Sequence, residues 1–133
     1  MKSSAAPFTI GELAARFGLA PHVLRHWESA GLLSPSRDPN GQRRYTDADL
    51  PRVAMILMGK EAGLGLRALR EVLSTGDPMD HEDVLRRHVA VLERQIAKAQ
   101  EAKNLIEHAL SCPVAFAECP HAGERLAARI PQP

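Results

Sequence analysis

The sequence predicts a mainly α-helical fold, in which a winged helix-turn-helix head leads into a long helix and a short C-terminal segment. Three observations predict it. Two short capped helical stretches meet at a glycine-containing turn, an Asn-Gly hairpin signal follows among basic residues, and a later stretch free of proline and glycine carries apolar residues at alternating spacings of four and three.

The first helix is expected to start at about Ile10. Thr9 and Glu12 have the spacing of a capping box, with Phe8 and Leu13 placed as a hydrophobic staple, and Gly18 offers the left-handed residue that stops the helix. Pro21 suits the first turn of a second helix running to about Ala30, where Gly31 ends it. Two short helices joined by a tight turn make a helix-turn-helix. With about 100° per residue, Ala20, Val23, Leu24 and Trp27 share a packing face, which leaves Pro21, His22, Arg25, His26 and Ser29 on the free one. In isolation that free face would be ordinary solvated surface, so neighbouring segments must give it meaning.

The next segment supplies some. Asn40-Gly41 is a strong turn signal between Leu32-Leu33 and Arg43-Arg44-Tyr45, so a two-stranded wing is expected, carrying Arg37, Arg43 and Arg44 within reach of phosphates beside the second helix. Thr46 then caps a third helix, with Tyr45 and Leu50 as its staple and a buried stripe of Leu50, Val53, Ala54 and Leu57; Pro51, just past the first turn, predicts a distortion. Gly63 and Gly65 precede a short fourth helix built on Leu66, Leu69, Val72 and Leu73, closed by Gly76-Asp77-Pro78. Residues 1–76 are therefore expected to form the DNA-binding head.

Residues 77–111 are expected to hold the dimerisation helix. Leu85, Val89, Leu92, Ile96, Ala99, Ile106 and Leu110 fall in heptad register, interrupted at Lys103, on a helix about 45 Å long. Such a helix is marginal alone, and a second copy would supply the partner for its seam. In residues 112–133, a short helix is expected from about Glu124 to Arg129, with a disordered Ile-Pro-Gln-Pro end.

Bulk properties bound the function without deciding it. The net charge of +1 gives no global argument for nucleic acid, but residues 1–60 hold eight Lys/Arg against five Asp/Glu, and the remainder nine against eleven. The basic half is the one with the wing. No apolar stretch approaches the roughly 18 residues of a membrane span, and the first residues lack the apolar run of a secretory signal, so a cytoplasmic protein with no membrane partner is expected. In that reducing compartment the two cysteines, Cys112 and Cys119, are read as thiols. With no phosphate-cradling loop, paired carboxylate site or nucleophile triad in the pattern, enzymatic activity is not expected.

With these elements placed, one resemblance covers nearly 60 residues in order: Phe8-Thr-Ile-Gly-Glu-Leu-Ala, Phe17-Gly-Leu, Leu24-Arg-His-Trp-Glu28, Gly31-Leu-Leu, Pro35-Ser-Arg37, Asn40-Gly-Gln-Arg-Arg-Tyr45, Asp49-Leu50 and Gly63-Leu64. The sequence closely resembles the MerR family of bacterial transcription regulators. The resemblance implies an antiparallel coiled coil between two long helices, which holds two heads on an imperfect inverted repeat in double-stranded operator DNA. It further implies a promoter with an overlong spacer, bent and untwisted on activation so that RNA polymerase can engage. Carried onto this chain, the DNA-facing residues are His22, Arg25, His26, Arg37, Arg43, Arg44 and Tyr45, with Lys60 a weaker candidate. His26 departs from the Tyr or Phe common at its position, though imidazole can donate to phosphate.

Copper- and zinc-type members of that family resemble this chain in placing two cysteines around a short loop directly after the helix. Thiolate and imidazole ligands suit zinc, copper or related soft ions; Cys112, Cys119 and His121 would give three, with His81 or His108 a fourth. In those relatives a ligand near the start of the dimer helix crosses from the partner subunit, a region His81 occupies here. A thiol redox switch and plain buried thiols remain open readings of the same two cysteines. From other classes, a DNA-architectural protein of the excisionase kind shares the wing but usually lacks a dimerisation arm, and a regulator without an effector would respond only to its own concentration.

Overall fold

The computed structural model describes residues 7–133; Lys2, counted in the charge of the N-terminal half, lies outside them. Helix α1, Ile10–Arg16, begins as its sequence dictates. The Thr9 hydroxyl accepts from the Glu12 amide at 3.1 Å and the Glu12 carboxylate accepts from the Thr9 amide at 2.8 Å. That second bond holds the Glu12 carboxyl below its usual value. Gly18, at φ 68°, turns the chain into α2, Pro21–Ser29, which has Pro21 in its first turn and buries Leu24 and Trp27.

The wing is the antiparallel pair β1, Ser36–Arg37, and β2, Arg43–Arg44, in the register Ser36↔Arg44 and Arg37↔Arg43. Its tip is tied by Asp38, whose carboxylate accepts from the Asn40 and Gln42 amides at 2.9 and 3.0 Å while Gly41 takes φ 78°. Past β2, Tyr45 and Phe8 exchange backbone hydrogen bonds at 2.6 and 2.9 Å, which draws the chain back against the start of α1.

Helix α3, Asp49–Glu61, starts three residues beyond the Thr46 cap that the sequence suggests. The Asp49 carboxylate instead accepts from the Thr46 amide at 2.8 Å and closes a turn ahead of the helix. Pro51 consequently falls within the first turn, where its missing N–H costs nothing, and the expected distortion has no cause. Helix α4, Leu66–Val72, buries Leu69 and Val72. Leu13, Leu24, Trp27, Leu32, Tyr45, Val53, Ile56 and Leu69 meet in one core. Arg52 stitches its edge, donating to the carbonyls of Leu32 at 2.9 Å and Leu73 at 2.6 Å.

A 3-10 turn, Pro78–His81, leads into α5, Glu82–Ser111, thirty residues long. Its first turns belong to the compact unit that ends at His88: Val84 is buried, and His88 Nε2 lies 2.6 Å from the Ala62 carbonyl. The second unit, Val89–Pro133, holds the rest of α5, a 3-10 turn at Phe116–Glu118, and α6, Pro120–Ala127. Helix α6 thus begins four residues before the Glu124 start that the sequence suggests, because extended Cys119 serves as the cap and Pro120 as the first helical residue. No helix among the described residues is long and apolar enough to cross a membrane.

Candidate nucleic-acid interface and Cys/His cluster

The free face of α2 exposes His22, Arg25, His26 and Ser29, with Leu24 and Trp27 locking the opposite face into the core. No carboxylate among the described residues pairs with Arg25. The wing arginines differ. Arg43 Nε donates to Glu28 Oε1 at 2.6 Å, Arg37 Nη2 donates to Glu28 Oε2 at 3.1 Å, and Arg44 Nη2 pairs with Asp38 Oδ2 at 2.9 Å. Glu28 is a residue that sequence reasoning missed. It stands nine and fifteen positions from its two partners, so no local spacing announced the contact; the folding back of the hairpin creates it.

Tyr45 sits with its ring fully in the core, and its hydroxyl is a buried polar atom without a hydrogen-bond partner. The side chain read from sequence as DNA-facing is thus out of reach of a ligand in this conformation. Burial raises the phenol pKa above its ordinary value, and the Glu28 carboxylate adds to the rise. Lys60 is exposed near the end of α3, without an ion-pair partner among the described residues.

Along α5, Val89, Ile96, Ile106 and Leu110 are 52%, 68%, 59% and 81% exposed, an apolar stripe on a single chain. Leu92 is half-buried and Ala99 exposed, and in the first unit Leu85 is half-buried beside Pro78, Leu69 and Met58.

In the second unit the ligand atoms of His108, Cys119 and His121 all lie within 4.8 Å of one another, with the two imidazoles edge to face and their centroids 4.7 Å apart. Ligands on one tetrahedral zinc are about 3.5 Å apart given its usual bond lengths, so this donor set fits a soft or borderline ion after a small closure. The Ala122 amide and the Cys112 thiol lower the pKa of Cys119, outweighing its burial, and the His121 amide adds to the effect. The thiolate a metal needs is thereby favoured. Of the residues expected at this site, Cys119 and His121 come together and His108 joins them. Cys112 is half-buried beside Cys119, and His81 lies in the first unit, its Nε2 3.4 and 3.2 Å from the hydroxyls of Ser74 and Thr75.

A helix-turn-helix with a basic wing and an exposed cationic face is shared by many proteins, and comparison decides among them. A family model described as MerR HTH family regulatory protein matches residues 8–75, and one described as MerR, DNA binding, matches residues 50–109. The chain belongs to the MerR family. Among MerR relatives, the transcriptional activator TipA of Streptomyces coelicolor is 36% identical over 106 residues, which are 77% of this chain but 41% of TipA. The chain therefore spans about two fifths of that relative's length. The transcriptional regulator CueR of Salmonella typhi is 33% identical over 119 residues, covering 84% of this chain and 86% of CueR. Among solved structures, the N-terminal part of MtaN, the Bacillus subtilis multidrug transporter activator, superposes with a TM-score of 0.66 at 27% identity, covering 79% of this chain and 99% of that one.

Proposed function

We propose that this MerR-family chain binds an inverted-repeat operator in double-stranded DNA as a homodimer and remodels promoter DNA for RNA polymerase in response to an effector. The work is done in the cytoplasm, with residues 1–76 reading DNA, 77–111 pairing the subunits and 112–133 sensing. The carrying observation is the unpaired, exposed Arg25 between His22 and His26 on a helix whose other face is fixed in the core. A guanidinium held on a rigid helix offers phosphate a fork of donors without first giving up an internal partner. Arg37, Arg43, Arg44 and Lys60 add backbone contacts at the flanks, while Tyr45 contributes by anchoring the return strand of the wing. The exposed stripe of Val89, Ile96, Ile106 and Leu110 supports pairing through α5.

The test is operator binding by Arg25→Ala over a salt series. Affinity is expected to fall across specific and non-specific sequences alike, and the slope of log affinity against log salt to shrink by about one. Unchanged affinity at moderate salt would refute the assignment.

The effector favoured by the C-terminal geometry is a soft metal ion, zinc or copper, held by Cys119 and His121 with Cys112 and His108 completing the set. Titration of the reduced protein with zinc and with copper(I) is expected to give one submicromolar site per chain, lost in Cys119→Ser. The closeness of Cys112 to Cys119 supports a second reading, a dithiol switch; peroxide-dependent loss of two free thiols with no metal binding would select it.

A further inference from the structure

We propose that the apolar cavity between the last turns of α5 and helix α6 is a binding site for a small organic anion with a compact apolar body. The cavity measures about 350 Å³, within the range of roughly 300–1,000 Å³ typical of small-molecule sites. Leu105, Ala109, Phe116 and Leu126 supply apolar walls, and Arg125 and Arg129 are its charged members; no carboxylate lines it.

Two features give the occupant a charge. Neither Arg125 nor Arg129 takes part in any ion pair among the described residues, although all three wing arginines do. Arg129 Nη1 also donates to the Arg125 carbonyl at 3.2 Å, which ties the Arg129 guanidinium back to the turn of chain at Arg125. A carboxylate or sulfonate head would find two cations without ion-pair partners at the edge of the cavity, while its body displaces water from the apolar walls.

Helix geometry separates this cavity from the pairing seam. At 100° per residue, Leu105 and Ala109 lie roughly a third of a turn around α5 from Lys103, Ile106 and Leu110. A partner helix laid on the seam covers the Ile106 and Leu110 rim and leaves Leu105 and Ala109 facing α6. The site does not depend on the DNA-binding reading. It shares His108 and Cys119 with the metal cluster, so its test must keep metal out.

The experiment is calorimetric titration of the reduced, full-length protein with 2-naphthoate and with uncharged 2-naphthamide, in chelator. Saturable binding of one naphthoate per chain is expected, with naphthamide about tenfold weaker for want of the charge-assisted hydrogen bonds. The double variant Arg125→Gln/Arg129→Gln should reduce naphthoate to the level of naphthamide, and Ala109→Trp, which fills the cavity from an exposed helix position, should abolish both; helicity by circular dichroism checks that each variant folds. Equal affinity for the two probes overturns the proposal, as does an unaffected double variant. So does binding that vanishes with chelator, which would make naphthoate a metal ligand, or binding confined to dilute single subunits, which would mean that a second copy fills the groove.

Discussion

The hydroxyl of Tyr45 is buried with nothing to bond, an unusual expense for a side chain at the centre of a core. Removing it in Tyr45→Phe keeps the ring and relieves the unmet donor, so stability at neutral pH is expected to rise by about 1 kcal/mol. Because the folded-state pKa is raised, the native protein keeps the phenol proton to higher pH than the unfolded chain does. That contribution is complete below the ordinary phenol value of 10.0 and is lost as pH climbs past it. Urea denaturation at pH 8 and pH 11 should show the wild type losing more stability than Tyr45→Phe; parallel losses would sink the argument. The residue also shows where sequence reading stops. The exposure of Arg25 was legible because the packing residues of α2 recur at helical spacing, whereas Tyr45, a staple by sequence and DNA-facing by resemblance, is drawn fully inward by Phe8, 37 positions earlier, which pairs with its backbone.

At the scale of elements, α3 and α4 approach so closely that one glycine decides the fit. A Cβ at Gly59 would overlap Leu69 Cδ2 and stand 3.5 Å from Leu64 Cδ1, and Leu69 is too deeply buried to swing aside. Alanine favours a helix over glycine by about 1 kcal/mol, while overpacking a core costs about 1–3 kcal/mol. Gly59→Ala is therefore expected to lower stability by roughly 1 kcal/mol against the propensity trend, read as a lower denaturant midpoint with unchanged slope. Helix starts were legible where the cap sits beside its helix, as at Thr9. They were misplaced where a turn intervenes, as between Thr46 and Asp49, or where an unusual cap serves, as Cys119 does before Pro120. Gly76-Asp77-Pro78 marks a turn, but the packing of Val84 and the bond of His88 to Ala62 carry the first unit past it.

For the whole molecule, the heptad stripe was readable from residue order alone, since a 3.5-residue repeat needs no tertiary partner to show itself. What the stripe meets is not written in one chain. On the proposed pairing through α5, Ile96→Glu puts an unpaired charge at mid-seam and should weaken dimers by at least about a hundredfold. Sedimentation at micromolar concentration would then find single subunits that keep their helical signal, and an intact dimer would remove the seam from α5. The C-terminal cluster was only half legible: Cys119 and His121 stood out by type, while the approach of His108 to them depended on how α6 folds back. Arg37 and Arg43 share Glu28, and Arg44 holds Asp38, so the hairpin carries its own counter-ions. A stray phosphate or metabolite must compete with carboxylates already in place and gains little by doing so. A polyanion that engages several of these groups at once, as the proposed operator contact requires, has more to gain, and on that proposal the wing filters for geometry over mere negative charge.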